Sequence, residues 1–453
     1  PYPGGKLSQF SNSGFVFDAG PSLFTLPQLV DELFTLAGKD PKKYFQYKRL
    51  DVLCHYFFAD GTRLQAHADA ERFAAAAAVA TGVSAKKVLN HLKKSAYIYN
   101  ATSDLFIGRS LHKLDSYLRW DTAASFLKLP FLNTLSTMHQ TNMQALGNEK
   151  MAQLFNRFAT YNGSDPYQAP GILNLIPHLE HHLGAWYPLG GMHRITEAVY
   201  ALAKDLGVQF YFNSAVERIL INNGKASGVQ VNGETHAADT VVCNMDVVLA
   251  YRKLMPEQPQ PEKILRQERS SSALIFYWGI KAQFPELNLH NIFFSADYKA
   301  EFDAIFKQHT VSDDPTVYIN ITSKEDPQHA PPGCENWFVM VNVPANQGQD
   351  WDALIDRVRE RVLEKLSKAL GQNIKSLIAT EDVLDPRTIG SRTLSYQGAL
   401  YGTSSNSRMA AFFRHPNFSR QVKGLYFCGG SVHPGGGIPL ALSSARIVDQ
   451  LIG

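Results

Sequence analysis

The sequence predicts an α/β protein of two domains, and three observations support this fold class. The chain has 453 residues, more than one simple hydrophobic core accommodates. A helical pattern ending at Gly207 passes through strand-like segments to the apolar run "TVVC" at 240–243, which is typical of a sheet covered on both faces. From about Ser270 to Ala379, more strand-like segments and one long helical pattern indicate a second, α+β region.

The N-terminal part predicts a short strand, a helix, a hairpin and an Ala-rich helix in that order. The strand and helix lie in "GFVFDAGPSLFTLPQLVDELFTLAG", and the hairpin turn is expected at Asp60-Gly61. The Ala-rich helix is "AERFAAAAAVATG". The predicted apolar face of the first helix consists of Leu29, Leu33 and Leu36, with Gly38 as its stop.

Two further helices are predicted from apolar residues at helical spacing. The first of these helices, which ends at Gly207, is expected to continue directly into a strand "VQFYF" at 208–212. Turns are expected at Asn223-Gly224 and Asn232-Gly233 among the strands that follow. Strands are also predicted at "SSALIFYWGI", "TVYINITS" and "NWFVMVNVP". The two helical faces are Ile195, Val199, Leu202 and Leu206, and Trp351, Leu354, Ile355, Val358, Val362 and Leu366.

Composition argues against several classes of function. The net charge of +3 is small, and no basic stretch is interleaved with aromatic residues, so nucleic-acid binding is not expected. The four cysteines stand far apart without a CxxC pair, which favours a reduced compartment and no metal. No apolar run reaches the ~18 residues of a membrane span. We therefore expect a cytoplasmic protein that is soluble or peripherally attached to a membrane.

Residues 86–183 predict a mostly helical region rich in Tyr, Phe, Leu and Met. Its large apolar residues mix with polar ones instead of segregating onto one face. One interpretation is a buried helical layer; the other is a set of helices that line a long apolar cavity or dip into a membrane surface.

The most specific motif is "YFCGGSVHPGGGIPLALSSARIVDQLI" at the C-terminal end. It predicts a strand, a glycine loop and a helix with Pro439 in its first turn, where the missing N–H costs nothing. Gly435 to Gly437 remove side chains from the positive end of this helix, which favours an anion or a flat ligand against the backbone. A tight structural turn alone does not need so many glycines.

A second glycine-containing segment lies near the start, in "GGKLSQFSNSGFVFDAGPS". Gly4 and Gly5 permit a close backbone approach, and Lys6 supplies a cation. Because the two motifs stand at opposite ends of the chain, together they predict a discontinuous nucleotide-binding domain.

These motifs, with "YPLGGMHRITEAVYALAKDLG" between them, resemble the phytoene desaturase family of FAD-dependent carotenoid desaturases, within the amine-oxidase-like flavoproteins. Within it, "FDAGPSLFTLPQLVDELF" is more similar to the branch that introduces the 3,4 double bond into 1-hydroxycarotenoids. The family's GxGxxG loop and following acidic residue normally precede "PYPGGKL" and do not occur in this sequence. We therefore expect an N-terminal segment to be missing, and with it the helix that grips the FAD diphosphate.

The resemblance implies a discontinuous Rossmann-type FAD domain and an α+β substrate domain with a helical lid region. The FAD-binding parts are expected at 1–70, 186–265 and 386–453, the helical, membrane-facing region at 71–185 and the substrate domain at 266–385. The implied FAD-binding residues are Gly4, Gly5, Lys6, Asp18, Ala19, Gly20, Pro21, Ser22, Gly190, Gly191, Val216, Asn244, Met245, Asp246, Gly429, Gly430, Gly437, Ile438 and Pro439.

No catalytic residue is predicted, because the cation left by hydride loss from a polyene is delocalised, so positioning and water exclusion suffice. Asp18 is interpreted either as a proton relay or as a turn and ribose partner, and His433 either as a flavin neighbour or as loop packing. The histidines of "PHLEHHLG" suggest a metal site, but a polar cluster between helices fits the HxxHH spacing better.

The expected partners are a carotenoid, a membrane surface, and oxygen or a quinone as electron acceptor. Phe126, Leu127 and Phe131 form the predicted membrane-facing substrate entrance. Alternatives on the same scaffold are a phytoene desaturase, a carotenoid isomerase or a flavin amine oxidase. An alternative of another class is a non-catalytic lipid carrier similar to the Rab GDP dissociation inhibitors.

Overall fold

A large mixed sheet and a smaller parallel pair of strands organise the fold. The computed structural model describes residues 2–106, 108–113, 132–407 and 414–453. The predicted entrance at Phe126, Leu127 and Phe131 lies outside the described residues.

The strands among the described residues belong to five sheets, of which the largest has seven strands in the order β15-β11-β14-β13-β12-β4-β5. The other sheets are β1-β2, β3-β6, β7-β8-β9 and the parallel pair β10-β16. The strand bounds are β1 Gln9–Asn12, β2 Phe15–Asp18, β3 Tyr47–Arg49, β4 Val52–Phe57, β5 Arg63–His67, β6 Trp186–Pro188, β7 Val216–Asn222, β8 Lys225–Val231, β9 Glu234–Ala237, β10 Val241–Cys243, β11 Ser272–Ile280, β12 His290–Phe293, β13 Val317–Asn320, β14 Glu335–Val343, β15 Ile378–Leu384 and β16 Leu425–Phe427.

Helices lie on both faces of the large sheet, and the short helix at 247–249 packs beside the parallel pair. Their bounds are α1 Gln28–Leu36, α2 Ala70–Thr81, α3 Ala85–Phe106, α4 Met138–Leu146, α5 Glu149–Asn156, α6 Ile176–His181, α7 His193–Asp205, α8 Val247–Leu249, α9 Glu262–Leu265, α10 Tyr298–Phe306, α11 Trp351–Leu370, α12 Ile374–Leu377, α13 Pro386–Thr393 and α14 Ile438–Ile452. None of these described helices is both long enough and apolar enough to cross a membrane.

Most predicted elements are confirmed. The hairpin β4–β5 turns at Asp60-Gly61, and the turns β7–β8 and β8–β9 have positive φ at both Asn-Gly residues, as their type requires. α7 and α11 occupy the two predicted helical segments. The described part of 86–183 is mainly helical.

The predicted strand "VQFYF" is wrong, because residues 208–212 make no strand pairing with any described part of the chain. The rings of Phe210 and Phe212 pack on Tyr200 of α7 instead, with ring centroids 4.6 Å and 6.0 Å from that of Tyr200. Phe210 stays 37% exposed and Tyr211 74% exposed. An apolar alternating segment without a neighbouring strand cannot form a ladder, whatever its pattern.

The predicted apolar face of α1 is rotated. The buried residues of α1 are Val30 and Phe34, whereas Leu36 is 78% exposed. In α14 the buried residues are Ser443, Ser444, Ile447 and Val448, and Ala445 is exposed. Both serines are inside because their hydroxyls are hydrogen-bonded: Ser444 Oγ accepts the Gly429 N–H, and Ser443 Oγ donates to the Pro439 carbonyl.

The large sheet is covered on both faces, which explains why all nine residues of β11 are buried. One face packs on α11 through a cluster that includes Trp278, Trp337 and Val362. The opposite face, called here the inner face, packs on the helical layer at one end and on the β1–β2 hairpin at the other. Because β4 pairs with β12, the β4–β5 hairpin belongs to this sheet although it lies within residues 1–70.

Candidate functional site: a glycine-lined cofactor groove

The parallel strands β10 and β16 end side by side, and their loops meet there. The Cys428 N–H donates to the Cys243 carbonyl at 3.1 Å, so Asn244 follows one strand where Gly429 follows the other. A Cβ on Gly429 would lie 3.6 Å from the Asn244 carbonyl oxygen. Ligands of open parallel sheets bind at this carboxyl end of the strands. The structure thus brings together the predicted segments 244–246 and 429–430.

The glycine loop after β16 is held against the start of α14. The Gly429 N–H donates to Ser444 Oγ at 3.1 Å, and Asn417 Nδ2 donates to the same oxygen at 2.9 Å. A Cβ on Gly430 would lie 3.2 Å from the Gly436 Cα. These backbone contacts explain the paired glycines: larger residues would push the loop away from the helix.

The first turn of α14 has an open backbone end. Gly437 is its N-cap with φ of 103°, no side chain caps the helix, and no described heavy atom lies within 4 Å of the place of a Cβ. The amide N–H of Ile438 stands in this uncapped turn, and Pro439 follows without an N–H. An uncapped helix start with free space beside it suits a flat group carrying negative charge.

The second group of predicted residues surrounds Asp18 at the end of β2. Its carboxylate accepts the backbone N–H of Met192 at 2.8 Å and of His193 at 3.3 Å. Burial raises the pKa of this carboxyl, and the two N–H bonds oppose the rise. Asp18 therefore caps α7 and holds the Gly190-Gly191 turn. Of the two interpretations of Asp18, these contacts fit the turn partner and not the proton relay.

The Gly190-Gly191 turn is fixed from two sides. A Cβ on Gly191 would come within 2.9 Å of Asp18 Oδ2. On the other side, Asp326 Oδ2 accepts the Gly190 N–H at 2.8 Å and the Tyr187 hydroxyl at 2.7 Å. Asp326 could not be predicted from the sequence, since it stands in a polar loop without a recognisable motif.

The Gly4–Lys6 segment lies directly on the Ala19-Gly20 loop. A Cβ on Gly20 would lie only 1.7 Å from the Lys6 carbonyl oxygen, so any side chain there is excluded. Ala19 N–H donates to the Ser8 carbonyl at 2.8 Å. The Gly4–Lys6 segment and the Ala19-Gly20 loop, both expected to bind FAD, are therefore in backbone contact.

Lys6 connects the two groups of residues. Its Nζ donates to the Leu400 carbonyl at 2.9 Å, and burial lowers its pKa to about 8 while the Asp246 carboxylate opposes that change. Asp246 also caps α8 by accepting the Val248 N–H at 3.0 Å. At neutral pH Lys6 remains mostly a cation, which favours a phosphate or another anion nearby.

Val216 and His433 are two further residues that the sequence singled out. Val216 begins β7, pairs with Val231 and is 39% exposed, and no described contact joins it to the glycine loops. His433 is buried in the loop before α14, where its Nε2 lies 2.8 Å from the Arg109 carbonyl, and burial lowers its pKa to about 4. Its contacts are those of loop packing.

The histidines of "PHLEHHLG" point in different directions. Glu180 turns to Arg157, with Nη2 3.5 Å from Oε2, whereas the His181 ring stacks on Phe73 at 4.6 Å. His178 stacks on His182. Across the described ranges no three metal-ligating side chains come together.

The residues present fit the flavin end of FAD. The helix start at Gly437 is open and uncapped, and Ile438 and Leu442 contact the apolar cluster of Met192 and Phe24. This packing places the α14 start near the Asp18 and Gly191 turns. Glycine backbones for close approach, a helix N-terminus for negative charge and a lysine cation make a donor set suited to a flavin and its phosphates.

Comparison with known proteins identifies the class. The profile of the family "Flavin containing amine oxidoreductase" matches residues 1–451. The chain therefore belongs to the flavin-containing amine oxidoreductases, its cofactor is FAD, and it is an FAD-dependent oxidoreductase. An oxidoreductase structure from Methanosarcina mazei has the same fold, with a TM-score of 0.59 at 14% identity over 100% of this chain and 92% of that one.

Two curated relatives narrow the comparison. The chain is 51% identical over 451 residues to 1-hydroxycarotenoid 3,4-desaturase of Flavobacterium sp. (strain P99-3), covering 100% of this chain and 92% of the relative. It is 34% identical over 464 residues to 4,4'-diapolycopene oxygenase of Methylomonas sp, covering 99% of this chain and 91% of the relative. These relatives confirm the resemblance to the carotenoid desaturases that the motifs indicate.

Proposed function

We propose that this protein desaturates the 3,4 bond of a 1-hydroxycarotenoid. The observation that carries the proposal is the open α14 start at Gly437 in a chain with 51% identity to an enzyme of that name. When bound, FAD supplies the hydride acceptor for the removal of two hydrogens from adjacent carbons. Amine oxidation is less well supported, because the relatives at this level of similarity act on carotenoids by name.

The chain's own residues contribute positioning and the exclusion of water. The uncapped amide N–H of α14 stabilises negative charge on the flavin ring, and Asp18 and Asp326 fix the Gly190-Gly191 turn from either side. Phe17 of the β1–β2 hairpin packs with Tyr277 and Phe338 of the large sheet in one buried apolar cluster near these turns. This packing excludes water from that side of the cofactor groove.

Product analysis tests this function. In a host that makes a 1-hydroxycarotenoid, expression of the protein is expected to yield a product with two hydrogens fewer, with the new double bond at C3–C4. A product that gains oxygen would instead favour the oxygenase activity named for the 34% relative. An unchanged carotenoid with FAD bound would contradict the proposal.

We also propose that the protein binds a membrane peripherally on the cytoplasmic side, with oxygen or a quinone accepting the electrons. Helix α3 supports membrane contact, because it carries four lysines and no acidic residue between 85 and 103, and Tyr97 is 42% exposed. Such a basic, aromatic helix face is attracted to anionic lipid. The lysines are Lys86, Lys87, Lys93 and Lys94.

Vesicle flotation tests the membrane contact. Changing Lys86, Lys87 and Lys93 to Gln is expected to weaken binding to anionic vesicles by about 100-fold, since each lysine near such a surface contributes about 1 kcal/mol. The matched control changes the exposed Lys39, Lys42 and Lys43 to Gln and should leave binding intact. Serine at Phe126, Leu127 and Phe131 tests the entrance; unchanged flotation of that variant would contradict it.

A further inference from the structure

A chain of hydrogen-bonded side chains crosses the inner face of the large sheet beside the Asp18–Ser22 segment. Ser22 Oγ lies 2.8 Å from the Tyr318 hydroxyl, which lies 2.8 Å from His290 Nδ1. Tyr318 stands in β13 and His290 begins β12. None of these contacts is needed to form the sheet, whose ladders use backbone groups.

The chain lies at a seam between two apolar clusters. Tyr318 packs against the cluster under the helical layer and also against the cluster under the β1–β2 hairpin. Ile292, its cross-strand neighbour, is 2% exposed, whereas Tyr318 and Ser22 are only half-buried. A long apolar ligand on this face would therefore meet hydroxyl groups at the seam.

The hydrogen bonds have a defined direction. Asn320 Nδ2 lies 3.2 Å from His290 Nδ1, and since an amide NH₂ can only donate, Nδ1 is an acceptor. Tyr318 must then donate to Nδ1 and accept from Ser22. Burial lowers the pKa of His290 to about 3, so this imidazole stays neutral at physiological pH. The chain thus offers oxygen lone pairs, and no free proton, to a ligand.

We propose that the Ser22–Tyr318–His290 chain is the subsite that binds the substrate's hydroxyl group. The proposal rests on the proposed function, in which the hydroxyl on C1 is two carbon–carbon bonds from C3. A group that binds this hydroxyl must therefore lie next to the reacting carbons. Ser22 ends the Asp18–Ser22 segment, which is expected at the flavin, and so has the required position.

The direction of the bonds determines which end groups are recognised. An alcohol donates a hydrogen bond to the lone pairs of Ser22 or Tyr318. A methyl ether at the same carbon offers only an acceptor, and an unsubstituted end offers neither. The subsite is thus specific for a hydroxyl donor and distinguishes it from an ether of nearly the same shape.

Substitution of the central hydroxyl tests the subsite. Tyr318→Phe keeps the ring and removes the oxygen. The ratio of kcat/KM for a 1-hydroxycarotenoid to that for the same carotenoid without the hydroxyl is expected to fall about 10-fold, as for one lost neutral hydrogen bond. The loss should appear mainly as a higher KM for the hydroxylated substrate.

The matched control is Tyr298→Phe, a buried tyrosine on α10 packed between Phe294 and Phe302, which should leave the ratio unchanged. The flavin absorption spectrum checks cofactor content in each variant. Binding without turnover, followed by quenching of tryptophan fluorescence, gives a second readout. The wild type should bind the hydroxylated carotenoid more tightly than its methyl ether, and Tyr318→Phe should bind the two alike.

Ser22→Ala serves as the second variant if Tyr318→Phe is unstable, and it should lower the same ratio. Equal loss of activity on both carotenoids in the Tyr318 and Ser22 variants would show a merely structural role and overturn the proposal. If the wild type converts neither carotenoid, the proposed function fails, and binding still decides the subsite: equal affinity of the wild type for alcohol and ether overturns it.

Discussion

The large sheet and the glycine-lined groove are built on opposite principles. All nine residues of β11 are buried, and side chains from both faces hold that strand. In the parallel pair each strand has three paired residues, Val242 is 45% exposed, and the loop after β16 brings Gly429 and Gly430 against neighbouring backbone atoms. The large sheet is thus stabilised by the packing of its side chains, whereas the groove keeps its shape because glycines have no side chain to push the neighbouring loops apart.

The largest effect is expected from a side chain at the tightest glycine. Gly20→Ala places a Cβ 1.7 Å from the Lys6 carbonyl oxygen, so the two loops must separate. We expect a destabilisation of at least about 4 kcal/mol and a protein purified without flavin. Thermal unfolding and flavin absorption measure both effects.

Gly390→Ala is the control, because the nearest atom to its Cβ would be at 3.4 Å and it lies inside α13. This change should stabilise the protein slightly, by about 0.5 kcal/mol. If Gly20→Ala behaved like Gly390→Ala, the backbone contact between the loops would not be essential.

The next largest effect concerns the charge buried under the large sheet. Arg157 donates to the Tyr56 hydroxyl at 2.9 Å and lies 3.5 Å from Glu180, and both ionic side chains are buried. Arg157→Met leaves the carboxylate without its cation and should cost about 3 to 5 kcal/mol in the free energy of unfolding. Chemical denaturation measures this loss.

The double variant with Glu180→Gln should recover a large part of that loss, because it removes the unpaired charge. Flavin content should stay normal in both variants, since these residues lie in the sheet's helical cover. Loss of flavin in Arg157→Met without loss of stability would contradict the separation of the two regions.

A smaller, pH-dependent effect is expected at His181. Both ring nitrogens are buried without a partner among the described residues, and burial lowers its pKa to about 3. Since the unfolded chain binds this proton near pH 6.5 and the folded protein does not, His181 lowers stability as the pH falls from about 6.5 toward 3.

His181→Phe keeps the stacking on Phe73 and removes that proton. The gain in the free energy of unfolding that this variant shows should be about 2 kcal/mol larger at pH 5 than at pH 7.5. This follows because the linked proton contributes about 1.36 kcal/mol for each pH unit below 6.5. Unfolding measured at the two pH values checks this. An identical gain at both would show that His181 contributes no proton linkage.

The smallest effect is expected for the ion pair between Arg446 of α14 and Glu32 of α1. Both side chains are more than one-third exposed, at 37% and 39%. Glu32→Gln should therefore change the free energy of unfolding by only about 0.5 kcal/mol. A larger loss accompanied by loss of flavin would mean that this pair, rather than the glycine contacts, positions α14.

Elements governed by local pattern were predictable, and contacts between distant segments were not. Apolar residues at helical spacing correctly predicted α7 and α11, and the Asn-Gly pairs correctly predicted the turns between β7, β8 and β9. The glycine loops were also predictable, because so many glycines beside a helix have few structural explanations. The capping of α7 by Asp18 was not predictable, since the partners are 174 residues apart.

The polar chain at Tyr318 was missed for the same reason. Ser22 and Tyr318 are 296 residues apart and belong to no motif. The strand predicted at 208–212 failed in the opposite way: its local pattern was suitable, but a strand also needs a partner, which a pattern cannot show. Sequence thus predicts what a segment prefers, and only the fold shows what it contacts.

The most direct test of the account is a single turnover without an electron acceptor. Purified, flavin-loaded protein is mixed anaerobically with a 1-hydroxycarotenoid in vesicles, and the absorption of the flavin and of the carotenoid is followed. The flavin band is expected to bleach while the carotenoid spectrum shifts to longer wavelength, as one double bond is added. A flavin that stays oxidised while the carotenoid is bound and unchanged would contradict it.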